Sequence, residues 1–319
     1  MQAVGLYEFG GPDVLRVVDL PEPHAGPGEV RVRVRAAAVN PADTLVRSGV
    51  HAQALAGVPA PYVPGMDIAG VIDEIGPGAE TELSPGEPVM AMVMPLGPAG
   101  GAYAEYVVLP AGWVVRAPAG NDHAAAATLP MNGLTALLAL DQLALAPGST
   151  LAVIGAAGTL GGYLVQLGRH AGLTVVADAA PADEALVRLS GAADVVARGS
   201  GVAERIRARY PDGVDAVADT ALVGPDLLDA VRDGGAYAMF RSGAEPGGHE
   251  IDGGNRIAVE RTFVPDYAGR TDKLNQIRRL AESGVLTPRV ATTLPAAEAA
   301  DAHRRLEAGG LRGRLVLTF

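Results

Sequence analysis

The sequence predicts an α/β chain in two parts, a small antiparallel barrel or sandwich followed by a doubly wound parallel sheet. Three observations predict it. Residues 1–119 break into short apolar or alternating runs punctuated by Gly and Pro. Near Asp122 the pattern turns helical, in HAAAATLPMNGLTALLAL. From Leu151 onward β-branched runs alternate with stretches whose apolar residues recur at helical spacing. The length of 319 residues fits two domains.

In the first part, strands are expected at 15–18, 29–35, 67–75, 88–93, 102–109 and 113–116. Glu29 to Arg35 alternates strictly, valines to one side and arginines to the other, as a half-exposed antiparallel strand does. In the second part, strands are expected at 151–154, 173–177, 194–196, 214–218, 234–240 and 257–263, with helices between most of them. The tail gives a helix at 271–283, a strand at 289–293, a helix at 295–307 and a strand at 314–318.

The stretch that organises the chain is Leu151 to Gly172, LAVIGAAGTLGGYLVQLGRHAG, a buried strand running through a small-residue turn into a helix. Ala156, Ala157, Gly158, Thr159, Leu160 and Gly161 form that turn. Small residues let backbone N–H groups approach a pyrophosphate, and a helix N-terminus offers unpaired donors and a partial positive charge. Asp178 follows the next strand, where a carboxylate can accept from ribose hydroxyls. Ala156 occupies the first glycine position of G-x-G-x-x-G, so the alternative of a tight turn without a ligand stays open.

Composition narrows the chemistry. A formal charge of −11 and an isoelectric point near 5.0 argue against nucleic acid and against an anionic membrane. The opening MQAVGLYEFGG lacks a signal-peptide pattern, and Ala124 to Leu140, the most apolar window, is interrupted by Pro130, Asn132 and Gly133. A cytoplasmic location is expected. With no cysteine, thiol nucleophiles and cysteine-ligated zinc are absent, and with Lys273 the only lysine a Schiff base is disfavoured. The six histidines show no ligand spacing, so no metal site is expected.

The segments GLYEFGGPDVLRV, PGEVRVRVRAAAVNPADTLVRSGV, PGMDIAGVIDEIGPGA, GGAYAEYVVLP, LPMNGLTALLAL, AAGTLG and RRLEAGGLRGRLVL occur in an order that spans nearly the whole chain. On these the chain resembles the medium-chain dehydrogenase/reductase superfamily, in its zinc-free quinone oxidoreductase branch. The resemblance implies a GroES-like β-barrel catalytic domain over 1–119 and 267–319, a Rossmann coenzyme domain over 120–266, and a substrate cleft where they meet. It implies NADH or NADPH as cofactor and a quinone or α,β-unsaturated carbonyl as substrate. Where zinc-dependent relatives carry a cysteine and Gly-His-Glu, this chain has Asn40 and Gly65-Met66-Asp67.

Site residues follow from the same resemblance. Asn40 is the expected donor to the substrate oxygen or nicotinamide, against a plain loop-capping role that Asn-Pro favours. Asp43 fits an N-cap or a salt bridge. Leu45 stands where many quinone reductases have an aromatic residue. His51 lies where relatives often have a tyrosine, assigned as proton donor in enoyl-thioester reductases; the alternative is a surface histidine. Asn132 and Thr135 correspond to the nicotinamide pocket, and Phe240, Arg241 and Ser242 follow the fifth strand of the coenzyme domain. Arg241, replacing a usual glycine, either clamps an acidic or thioester substrate or projects into solvent.

The acids from Asp178 to Glu184 favour NADH, which is the expected cofactor, whereas Arg198, where a relative has a tyrosine beside the 2′-phosphate, and the family favour NADPH. Two further readings are an enoyl-thioester reductase of polyketide or fatty-acid assembly, drawing on Arg47 and Arg241, and a dinucleotide-binding protein without turnover. A homodimer is expected through the strand near 256–264, whose β-propensity suits an edge that must be covered.

Overall fold

The computed structural model describes all residues, 1–319. In chain order its strands and helices are β1 (Gln2–Gly5), β2 (Arg16–Asp19), β3 (Glu29–Ala38), α1 (Pro41–Ser48), β4 (Asp67–Ile75), β5 (Pro88–Met92), β6 (Tyr106–Pro110), β7 (Val114–Arg116), α2 (His123–Ala127) and α3 (Pro130–Leu143). There follow β8 (Thr150–Ile154), α4 (Thr159–His170), β9 (Thr174–Ala179), α5 (Glu184–Ser190), β10 (Asp194–Ala197), α6 (Val202–Arg209), β11 (Val214–Asp219), β12 (Val231–Met239) and β13 (Ala258–Arg261). The chain ends with α7 (Thr271–Glu282), β14 (Val290–Pro295), α8 (Ala299–Ala308) and β15 (Arg314–Thr318). No helix is long and apolar enough to cross a membrane.

The chain divides into two compact units. One comprises Met1–Met131, Tyr267–Gly284 and Pro288–Phe319. Its main sheet runs β14-β15-β3-β4-β5-β7, and β6 also pairs with β3. β3 organises it, pairing antiparallel with β4, with β6 and with β15. Val30, Val32 and Val34 are buried while Arg33 and Arg35 stay exposed, which is the alternation read in the sequence. Burying each such valine stabilises the fold by about 1.5–3 kcal/mol relative to leaving it in water. Beyond Arg35 the strand enters as Ala36-Ala37-Ala38, all buried, and delivers the chain to Asn40.

The other unit comprises Asn132–Asp266 and Val285–Thr287. Its six-stranded sheet has the order β10-β9-β8-β11-β12-β13, parallel throughout. Counted from β8 this is the 3-2-1-4-5-6 order of a doubly wound sheet, with its topological switch between β8 and β11.

Several elements depart from expectation. Residues 102–105 do not extend β6; they make isolated contacts instead, such as Val4 N–H to Tyr103 O (2.7 Å). The helical stretch after Asp122 is two helices, since Pro130 cannot donate into a continuing helix and opens a new one. Between β11 and β12 there is only a 3-10 turn, Pro225–Ala230. The last parallel strand, β13, is four residues long and lies at the edge of the sheet.

Candidate active site

In the parallel unit, β8 ends at Ile154 and the chain turns through Gly155, which takes φ +85°. A Cβ there would lie 2.5 Å from Thr220 Oγ1. Gly155, directly after the strand and one residue ahead of Ala156, thus supplies the positive φ that the turn requires. Gly158 caps α4, and a Cβ on Gly161 would collide with Gly155 O, so helix and turn pack backbone to backbone. The first-turn amides of Thr159, Leu160 and Gly161 have no preceding helical turn to receive them, which makes them natural anion donors.

Asp178, on the neighbouring strand β9, is buried, and its Oδ1 accepts from Gly155 N (2.7 Å) and Ala156 N (3.2 Å). One carboxylate oxygen thus braces the turn, and Oδ2 takes no part in it. Arg198 N–H bonds Ala179 O (3.0 Å) just beyond the paired ends of β9 and β10, and its exposed guanidinium makes no hydrogen bond or ion pair. Its loop is held by Arg205, which donates to the carbonyls of Ala197, Gly199 and Ser200. Of the nearby acids, Glu184 pairs with Arg188 (2.8 Å) and Asp183 is buried.

At the carboxyl ends of β11 and β12 a small pocket is lined by Asp219, Tyr237, Phe240, Arg241 and His249 among others. Asp219 there is spent on Tyr237 Oη (2.7 Å) and on the amides of Ala221 and Gly224. Arg241 Nη1 donates to Pro246 O (2.8 Å), and the amide and hydroxyl of Ser242 both donate to Glu245 Oε2. Asn132 and Thr135 lie buried along α3.

In the other unit, Asn40 is fully buried at the N-cap of α1. Its backbone N–H donates to Asp43 Oδ2 (2.7 Å) and its side-chain Nδ2 to Asp67 Oδ2 (2.7 Å). The amide expected to reach the substrate oxygen is therefore directed at a carboxylate inside the unit. Asp67 Oδ1 in turn accepts Met131 N–H (2.6 Å) at the start of α3. Burial pushes the Asp43 and Asp67 carboxyls up to about 7, and for Asp43 the neighbouring Asp67 charge adds to this.

Behind Asp43 stands a group the sequence reading did not assemble. Tyr103 Oη donates to Asp43 Oδ2 (2.9 Å) and lies 3.2 Å from His303 Nε2, whose Nδ1 is 3.2 Å from Arg47 Nη1. Arg47 also donates to Gly10 O (3.0 Å) and Glu307 (2.5 Å), so this buried guanidinium is committed to the interior and is not available to an acyl thioester. Burial and then the Arg47 charge hold the His303 imidazole down at about 3. Tyr103, His303 and Asp43 come from distant segments, and no spacing in the sequence links them. His51, by contrast, is half-buried just after α1, and its imidazole has no protein partner.

Two family models match the chain: the alcohol dehydrogenase GroES-like domain over residues 26–119 and the zinc-binding dehydrogenase over 190–317. A pikromycin polyketide synthase component of Streptomyces venezuelae is 33% identical over 94% of this chain, which spans only 8% of that much longer polypeptide. A 2-haloacrylate reductase of a Burkholderia species is 30% identical over 99% of this chain and 98% of its own. The quinone oxidoreductase of Rattus norvegicus is 28% identical over 99% and 97%. Among solved structures, a mycobacterial protein complexed with NADPH superimposes with a TM-score of 0.86 at 30% identity, covering 100% of both chains.

Proposed function

Because this chain belongs to the quinone oxidoreductase branch of the medium-chain dehydrogenase/reductase superfamily, we propose that it reduces a quinone or an α,β-unsaturated carbonyl with a reduced nicotinamide cofactor. The observation that carries this reading is the turn Gly155–Gly161, where added Cβ atoms at Gly155 or Gly161 would collide with Thr220 or with the turn's own backbone, so that the backbone packs tightly at the head of a twelve-residue helix. Bound NAD(P)H supplies the hydride. The first-turn amides of Thr159, Leu160 and Gly161 hold its pyrophosphate, Asp178 Oδ2 accepts from ribose, and Asn132, Thr135, Phe240, Arg241 and Ser242 serve the nicotinamide end. His51, with an imidazole free of protein partners, is the proton donor. Asn40 does not touch substrate in this scheme; it ties two buried carboxyls together.

The preferred cofactor is NADPH. The acids that favour NADH in the sequence are compensated: Asp178 by two backbone amides and Glu184 by Arg188. Arg198 remains without an ion pair on a loop pinned by Arg205, and a guanidinium suits a phosphate fork. Zinc takes no part, for the residues at its family position do not fit it: the Asn40 amide donates a hydrogen bond to Asp67, residue 66 is methionine, and no thiolate exists in the chain. The functional unit is a homodimer formed at the exposed edge of β13.

The 33% identity to a polyketide synthase component supports a second reading, enoyl-thioester reduction. With Arg47 committed to Glu307 and His303, only Arg241 of the two expected arginines is left to hold such a substrate. The test is loss of reduced-nicotinamide absorbance, with NADPH and NADH in parallel, against benzoquinone, naphthoquinone, an alkenal and crotonyl-coenzyme A. Turnover of the quinones or alkenal supports the first reading, and turnover of the thioester alone supports the second. Cofactor binding with no turnover on any acceptor overturns both in favour of a non-catalytic protein.

A further inference from the structure

From Arg47 to Asp43 the hydrogen bonds run in one direction. An arginine has donors and no acceptor, so Arg47 Nη1–H must donate to His303 Nδ1. His303 then carries its proton on Nε2 and donates it to Tyr103 Oη, whose own proton goes to Asp43 Oδ2 (2.9 Å). Asp43 Oδ2 also receives the Asn40 backbone N–H, and the Asn40 side chain holds Asp67, which holds the Met131 N–H. Because a permanently protonated guanidinium closes one end, this row cannot pass a proton inward from Glu307. It can only fix geometry. His303, Tyr103, Asp43, Asn40 and Asp67 are all buried to at least 99%, so water does not compete at any link.

We propose that Tyr103 and His303 are positioning residues for the reaction. They orient Asp43 and Asn40, and through Asp67 they set the first turn of α3, the helix that carries Asn132 and Thr135. The proposal rests on the reading above that Asn132 and Thr135 serve the nicotinamide end of the cofactor. Tyr103 comes from the segment before β6 and His303 from α8, so the row lets the C-terminal helix set the N-terminus of both α1 and α3. Small misplacements of reacting groups are costly, since a shift of about 1 Å lowers rates by roughly a hundredfold.

The experiment compares Tyr103→Phe, which removes one hydroxyl and keeps the ring, with His303→Phe and His303→Gln. For each, NADPH affinity is measured by fluorescence titration and turnover is normalised to the number of cofactor-binding sites. The expected result for Tyr103→Phe is a kcat about tenfold lower with an NADPH dissociation constant changed less than about threefold, because the amides at α4 are untouched. His303→Phe should match it, the double variant should be no worse than either single, and His303→Gln, which still donates to Tyr103 Oη, should recover to within about threefold of the parent. Unchanged kcat per binding site in Tyr103→Phe overturns the proposal, as does an effect that multiplies in the double variant. An unmodified protein that binds no cofactor refutes instead the functional reading on which this rests.

Discussion

Replacing Gly155 by alanine should destabilise the parallel unit by an amount that can be worked out from two local terms. The residue sits at φ +85°, where an L-residue costs roughly 1–2 kcal/mol more than glycine. The new methyl would also lie 2.5 Å from Thr220 Oγ1, 3.1 Å from Ala221 N and 3.3 Å from Ala221 Cβ. Thr220 has nowhere to move without giving up its hydrogen bond to Ile154 O (2.6 Å), worth about 0.5–1.5 kcal/mol. Together these give about 1.5–3.5 kcal/mol, or on the order of 5–10 °C in Tm for the unit concerned. Urea unfolding, with calorimetry to follow the transition that NADPH raises, measures the loss directly. The Gly155→Ala/Thr220→Ala double variant separates the terms: with the hydroxyl gone the clash is relieved, so it should lose less than the two singles added. A Gly155→Ala loss below about 0.5 kcal/mol, or strict additivity in the double, would refute the reasoning.

Other outcomes are expected from the same geometry. Arg198→Glu should weaken NADPH at least about tenfold while changing NADH less than about threefold, and equal losses for both cofactors would remove Arg198 from the 2′-phosphate. The Asp43 and Asp67 acids hold their protons to about pH 7 when folded, whereas an unfolded aspartate releases its proton near pH 4. The folded state therefore binds more protons across that window, and stability should fall as pH rises from about 4 to 7 and then level off. Asp43→Asn should flatten this slope in denaturant titrations, and an unaltered slope would place the titrating groups elsewhere. Sedimentation at micromolar concentration should find a dimer, and a monomer would leave the β13 edge uncovered.

Much of the fold was legible in the chain because periodicity reports burial. Val30, Val32 and Val34 against Arg31, Arg33 and Arg35 marked a one-sided strand, and the continuous apolar runs at Leu151 and Val175 marked strands buried on both faces. Where residues 102–105 run irregularly, or where β11 passes to β12 through a short 3-10 turn, pattern had no purchase, because those segments are fixed by what they touch. The small-residue turn before α4 was visible for the same local reason, although the glycine whose φ is positive, Gly155, is recognisable only once Thr220 is seen beside it.

The sequence by itself thus determined the chain's classes of element, the turn that leads α4 and the absence of thiols. Tertiary structure decided which polar groups are spent and which remain. Asn40, Asp178 and Arg47 read alike as available donors or acceptors, yet Asn40 is bound to Asp67, Asp178 by one oxygen to the turn, and Arg47 to His303 and Glu307. Hydrogen bonds inside a protein join residues far apart in sequence, as Arg47 and Glu307 are at 260 positions, and reach only about 3 Å. Local sequence encodes propensity and burial; it does not encode that proximity.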